Sequence, residues 1–162
     1  MSLFEACHGP PLAPLDNPFA RIVRGESQAT ILADTDEFVA FKNIHPASRV
    51  HLLIVPKKNA VRNANYLTVQ HVELLERMVD LGQELLTREA GLTLNQQKQQ
   101  ASLGFHMPPW ILVPHLHMHA IAPLKELSWW QRLNYLPDSF WYQSAESVLA
   151  RLKSQQTLQL TL

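Results

Sequence analysis

From residue 115 to residue 119 the chain reads His-Leu-His-Met-His, and the alternation runs on into Ala120, Ile121 and Ala122. Successive side chains of a β-strand point to opposite faces of the sheet. A strand over 115–122 therefore sets His115, His117 and His119 in a row on one face. Leu116, Met118 and Ala120 then form a core-facing row on the other. The fold has to supply an apolar layer on one side of this strand and room for three imidazoles on the other.

The rest of the sequence supplies such layers. Val50 to Val55 is a nearly continuous apolar run ended by Pro56, as expected of a central strand covered on both faces, with His51 the exception inside it. Thr30–Ala33 and Phe38–Phe41 read as two more strands around the turn-like Asp34-Thr35-Asp36, and Ser102–His106 as a weaker one. Thr68–Glu89 is the clearest helix: Thr68 suits an N-cap, Val72, Leu75, Val79, Gly82 and Leu86 share one face, and Gly91 can end it. Phe19–Arg24 reads as a short helix stopped by Gly25, and Ser144–Leu152 as a C-terminal helix. The Gln-rich stretch Asn95–Ala101 reads as a loop, and the two prolines of Met107–Trp110 require a turn or extended loop. Trp129, Trp130 and Trp141 are expected to pack the C-terminal segment. Strands grouped around one long helix predict an α+β fold with a mostly antiparallel sheet. The 162 residues fit one domain. Its expected limits are 17–153, with a flexible arm over 1–16 and a tail over 154–162.

Charge narrows the partners. Lys plus Arg and Asp plus Glu are 14 each, so no basic excess argues for holding long nucleic acid by its phosphates. The single cysteine, Cys7, allows no internal disulfide, which fits an intracellular, cytoplasmic protein, with the nucleus open in a eukaryotic cell. The start of the chain, with Pro10, Pro11 and Pro14, does not read as a signal peptide, and no apolar run approaches a membrane span.

Three imidazoles in a row suit nucleophilic catalysis. A neutral ring nitrogen can attack phosphorus, and a neighbouring imidazole can serve the leaving group. Mutual repulsion between cationic rings favours the neutral state that a nucleophile needs. A hydrogen bond at one ring nitrogen presents the other. Two other readings stay open. His-x-His can hold two sites of a zinc ion, but no Asp or Glu lies within the motif, and the nearest downstream is Glu126. The three rings can also be surface histidines of a strand. Taken alone, His51 reads as a satisfied core histidine. Phe19 and Phe41 can be core, and His106 can be a packing residue of its loop.

The motif His115-Leu-His-Met-His-Ala-Ile resembles the signature of the histidine-triad (HIT) family, His-φ-His-φ-His-φ-φ with φ apolar. Ile44-His45-Pro46-Ala47 with His51-Leu-Leu-Ile-Val-Pro-Lys-Lys58 resembles the family's second region, and Asn17-Pro-Phe-Ala-Arg-Ile-Val-Arg-Gly-Glu26 its opening helix. Gly104-Phe-His-Met-Pro-Pro109 and the Trp-containing tail are similar to the branch called histidine triad nucleotide-binding protein 3, and more distantly to aprataxin's catalytic domain. The resemblance implies a homodimer whose sheets join, a purine nucleotide over the sheet, and attack at its α-phosphate with no metal or cofactor. It implies His117 as nucleophile, His119 at the phosphate and helping to protonate the leaving group, and His115 with His51 setting the tautomer of His117. Phe19, Ile22, Phe41 and Ile44 match the apolar wall around the base. Asn43 stands where many relatives carry a ribose-binding Asp, and His106 can approach the phosphate. Leu112 stands where relatives commonly have Ser. The activity implied is release of AMP from an adenosine 5′-phosphoramidate or acyl-adenylate. Hydrolysis of dinucleoside polyphosphates, removal of adenylate from DNA ends, or a nucleotide-binding scaffold with weak catalysis are the alternatives.

Overall fold

The computed structural model describes residues 9–58 and 60–160. Cys7, and the part of the expected arm before Gly9, lie outside the described residues. Asn17 opens the domain as an N-cap: its Oδ1 accepts the N–H groups of Phe19 and Ala20, both at 2.9 Å. Pro18 at the first helical position then starts α1, Pro18–Val23. Gly25 follows with φ 72°, a left-handed backbone that stops the helix.

Three strands follow: β1 (Ile31–Asp34), β2 (Phe38–Lys42) and β3 (Val50–Pro56). Next come α2 (Val72–Ala90), α3 (Leu94–Gln100), β4 (Ser102–His106) and β5 (Met118–Ala122). The chain ends with α4 (Trp129–Asn134), β6 (Tyr142–Ser144) and α5 (Ala145–Leu160). The six strands lie in the order β1-β2-β3-β5-β4-β6, and every neighbouring pair is antiparallel. This is the expected α+β architecture. All seven residues of β3 are buried, as its apolar run requires of a strand covered on both faces.

Sheet alternation divides the core. Leu52, Ile54, Met118 and Ala120 face α2 and α5 in the main core. Val39, Phe41, Leu53 and Val55 face the other way, where Phe19, Ile22 and Val23 cover them. Helix α2 lies so close to the sheet that a Cβ at Gly82 would meet Leu103 and Met118 side-chain carbons at 2.9 Å.

The structure corrects several local expectations. Strand β5 starts at Met118, not His115. In the β3–β5 register, Ile54 pairs with Met118, so Leu116 falls opposite Pro56, which has no N–H to give. The Leu116 N–H bonds the Val61 carbonyl instead, at 2.8 Å. A 3₁₀ turn, Val69–His71, precedes α2, so Thr68 begins that turn rather than the α-helix. The Gln-rich loop is helix α3, started by a capping box in which Thr93 and Gln96 satisfy each other's backbone. Helix α5 runs past Leu152 to Leu160, and residues 154–159, most of the expected tail, belong to its exposed end.

The arm is not free along its length, because Leu12 bridges Val61 and the Ala13 N–H bonds the Ala60 carbonyl at 2.7 Å. Trp141 packs as expected, its indole N–H on the Leu133 carbonyl at 2.9 Å. Trp129 and Trp130 do not: they are 60% and 63% exposed and stack on each other at 3.6 Å.

Candidate active site

Five histidines converge on the face of the sheet opposite α2. The rings of His117 and His119 are 5.1 Å apart, those of His119 and His106 4.9 Å, and those of His119 and His51 5.2 Å. His115 lies at the edge of the group, beside Phe19. The hydrogen bonds determine which nitrogen of each of the four best-connected rings carries the proton.

His117 comes first. Its Nδ1 lies 2.7 Å from the carbonyl oxygen of His115, an acceptor, so Nδ1 carries the hydrogen and donates it. A neutral His117 then has its lone pair on Nε2. The tautomer of His117 is thus set by the backbone of His115. The expectation that the His115 and His51 side chains would set it does not hold, because both rings have other partners.

The His115 ring is clamped between two of these. The Asn17 amide donates one hydrogen to the Pro14 carbonyl at 2.7 Å and presents the other to His115 Nδ1 at 3.2 Å. His115 Nε2–H then donates to the Pro56 carbonyl at 3.0 Å. The imidazole thereby occupies the carbonyl at the point where the β3–β5 ladder stops.

His51 acts on His119. The Ala47 N–H donates to His51 Nδ1 at 3.0 Å, which leaves the proton of a neutral His51 on Nε2. That nitrogen lies 2.9 Å from His119 Nδ1 and 3.1 Å from the Asn43 amide nitrogen. The Asn43 oxygen is engaged by the His45 N–H at 2.9 Å, so Asn43 turns hydrogens towards His51 and cannot accept from it. The acceptor is His119 Nδ1. His119 consequently carries its proton on Nε2, which is buried without a partner among the described residues. A buried donor left unpaired is costly unless something else bonds it. A ligand atom in the site is the natural acceptor.

Burial keeps these rings neutral. It lowers His51 and His117 to about 4, with the neighbouring histidines adding a smaller push on His51. The same cause holds His119 well below the ordinary histidine range, and lowers His106 and His115.

Phe19, Ile22 and Phe41 gather on the other side of His117: Phe19 lies 5.0 Å from the His117 ring and 5.7 Å from Phe41, and Ile22 packs in the same cluster. Ile44 is not with them, being 82% exposed. Asn43 sits at the site with its amide turned to His45 and His51, away from the free role expected for it. His106 comes from the end of β4 and joins the group. Leu112, where a hydroxyl was expected in relatives, is exposed. Among the described residues, no three His, Cys, Asp or Glu side chains form a group able to hold a metal ion.

Three participants were not expected. Asn17 reads in sequence as an opening residue of a helix, but nothing local signals its link to His115. Tyr135, just after α4, places its ring 5.5 Å from His51, 5.0 Å from His106 and 5.6 Å from His119, and burial pushes its hydroxyl up to about 12. Tyr142 of β6 lies 5.2 Å from His106, with its hydroxyl 3.0 Å from Ser102 Oγ. Gly104, paired with His119, makes room for the Tyr142 ring: a Cβ there would come within 2.7 Å of Tyr142 and 2.5 Å of the Gln143 carbonyl.

Alternating histidines on an antiparallel sheet backed by one long helix have counterparts among known proteins. The family described as scavenger mRNA decapping enzyme C-term binding matches residues 16–134. Adenosine 5′-monophosphoramidase HINT3 of Mus musculus is 34% identical over 137 residues, covering 83% of this chain and 80% of its own. A HIT family hydrolase structure from Legionella pneumophila Philadelphia 1 is 28% identical with a TM-score of 0.59, covering 66% of this chain and 92% of its own. A structure of the aprataxin ortholog Hnt3 in complex with DNA is 25% identical with a TM-score of 0.53, covering 66% of this chain and 58% of its own. The chain belongs to the histidine-triad family.

Proposed function

We propose that this protein is a nucleotide hydrolase that cleaves adenosine 5′-phosphoramidates or acyl-adenylates at the α-phosphate and releases AMP. The observation that carries this reading is the pair of tautomers fixed at His117 and His119. One presents a lone pair and the other, beside it, an unpaired N–H. The naming of HINT3 as an adenosine 5′-monophosphoramidase supports the choice of substrate.

In this reading, His117 Nε2 attacks phosphorus as the bond from phosphorus to the leaving nitrogen breaks. The His115 carbonyl stabilises the positive charge that develops on the His117 ring. His119 Nε2–H donates to a phosphoryl oxygen from a buried position, where such a bond is strong. Its other nitrogen already accepts from His51, so His119 is arranged as a hydrogen-bond donor rather than as an imidazolium acid. The leaving amine therefore takes its proton from solvent. Water then cleaves the nucleotidyl-histidine, giving AMP and restoring the lone pair. The base lies on Phe19, Ile22 and Phe41, with a purine the best match to that aromatic surface.

A homodimer and a cytoplasmic or nuclear location belong to the same reading. No helix among the described residues is long and apolar enough to cross a membrane. An adenylated DNA end is a second reading, favoured by the likeness to the Hnt3–DNA structure, and the balanced charge of the chain weighs against it.

The test is AMP release from adenosine 5′-phosphoramidate by the purified protein with a chelator present, beside diadenosine polyphosphate and adenylated DNA. Preferred turnover of the phosphoramidate supports the proposal. Preferred turnover of either comparator, or tight AMP binding without turnover of any, overturns it.

A further inference from the structure

The histidine site has a deficit of positive charge. Its rings are held neutral by burial, yet a transferring phosphoryl group is anionic and spreads negative charge over its oxygens. Neutral donors supply hydrogen bonds but no compensating charge. A cation is therefore expected near His117, and the sequence motif contains none.

Resting on the reading above, we propose that Arg62 is that cation, a phosphate-binding residue that pairs with the α-phosphate opposite His117. Arg62 lies with His106, Ile111 and His117 around a crevice too narrow to admit a water molecule, so a phosphate that meets both Arg62 and His117 sits at its mouth. The backbone explains the placement. The Val61 carbonyl accepts the Leu116 N–H at 2.8 Å, so the segment carrying Arg62 runs beside the segment carrying His117. The N-terminal arm holds that segment from its other side. Leu12 bridges Val61, the Arg62 N–H bonds the Pro11 carbonyl at 3.2 Å, and Arg62 Nε bonds the Leu12 carbonyl at 3.2 Å.

These bonds leave the outer nitrogens of the guanidinium without a carboxylate. Several neighbouring cations are neutralised: Arg21 pairs with Asp16, Arg24 with Glu26 and Lys57 with Asp34. Arg62 has no such ion pair among the described residues. A guanidinium anchored through Nε and open at its planar end matches two phosphate oxygens.

The experiment compares wild type, Arg62→Ala and Arg62→Lys, with Arg77→Ala on the far helix as a charge control. Two readouts are used: affinity for AMP against affinity for adenosine, and kcat/KM on adenosine 5′-phosphoramidate. Loss of a charge-assisted contact is expected to weaken AMP binding by about 10- to 100-fold while adenosine binding stays within about twofold. Arg62→Lys recovers part of the loss, Arg77→Ala changes neither ligand, and kcat/KM falls with AMP affinity. Equal weakening of AMP and adenosine shows a structural role and overturns the proposal, as does unchanged AMP affinity. The binding comparison does not need turnover. A wild type that binds AMP but hydrolyses no phosphoramidate contradicts the proposed activity and still tests Arg62.

Discussion

His51 gives its Nε2 hydrogen to His119 Nδ1 across 2.9 Å, and the Ala47 N–H at His51 Nδ1 leaves that ring no other neutral arrangement. A backbone amide thus fixes, through two imidazoles, the nitrogen on which His119 carries its proton. Replacing His51 by Phe removes the lock while keeping a ring. The kcat of this variant is expected to fall about 10- to 100-fold, less than the loss of a transition-state hydrogen-bond donor itself, because His51 orients the donor rather than supplying it. His119 loses the partner that occupies its Nδ1, while burial, the largest cause of its lowered pKa, remains, so its ionisation in the pH–rate profile should shift upward only in part. A variant with reduced rate but an unchanged pH profile would show that His51 only packs.

Acid should act on stability before it acts on His117, the proposed nucleophile. Folding lowers His51 and His117 from 6.5 to about 4, so between those values the unfolded chain binds more protons than the folded one. Stability is therefore unaffected by these groups above pH 6.5, and falls as pH drops from there towards about 4. The lone pair of His117 persists through the same window, because its folded pKa lies at the bottom of it. Thermal melts at pH 7.5 and pH 5 should show a lower Tm at the acid value, while kcat/KM of the folded protein shows no acid limb near 6.5. A Tm that does not move would contradict the burial of these rings in neutral form.

Asn17 caps α1 and clamps His115 with the same amide. Asn17→Ala loses both functions and is expected to cost about 1–2 kcal/mol, the usual effect of removing a cap. Asn17→Asp keeps the cap oxygen but has no N–H for His115 Nδ1. Chemical denaturation of both variants separates the roles: the Asp variant should retain most of the cap energy yet lose activity alongside the Ala variant. Equal activity in Asn17→Asp and wild type would remove Asn17 from the support of the triad.

Gly104 is needed for close approach. A Cβ would lie 2.5 Å from the Gln143 carbonyl and 2.7 Å from the Tyr142 ring, one of them backbone. Gly104→Ala is expected to destabilise the fold by about 1–3 kcal/mol, as overpacking does. It should also displace Tyr142 from its place beside His106. A denaturation midpoint equal to that of wild type would contradict the packing.

The elements with a strong local signal were legible in the sequence. The apolar run of β3, the 3–4 spacing of α2 with its Gly91 stop, and Asn17-Pro18 ahead of α1 all lie where their physics puts them. The alternation at 115–119 correctly shows that three histidines belong together, but it overstates the strand. Pro56, distant in sequence, decides where the ladder ends. Helix α3 was hidden by its Gln-rich surface composition, although Thr93 and Gln96 spell out its capping box. The partners of each imidazole were not legible, because they join residues far apart in the chain, as Asn17 and His115 do. Tyr135 and Tyr142 are brought to the site only by the path of the C-terminal segment.

The central claim is that His117 Nε2 takes the nucleotide. The most direct measurement is mass spectrometry of protein mixed with adenosine 5′-phosphoramidate and rapidly quenched at alkaline pH, where a P–N bond survives, for wild type and His117→Ala, with AMP release followed in parallel. Wild type is expected to carry one covalent adenylyl group on His117 and to release AMP, whereas His117→Ala carries none, releases none and still binds AMP. An adenylyl group on another residue, or AMP release by His117→Ala, would contradict the account.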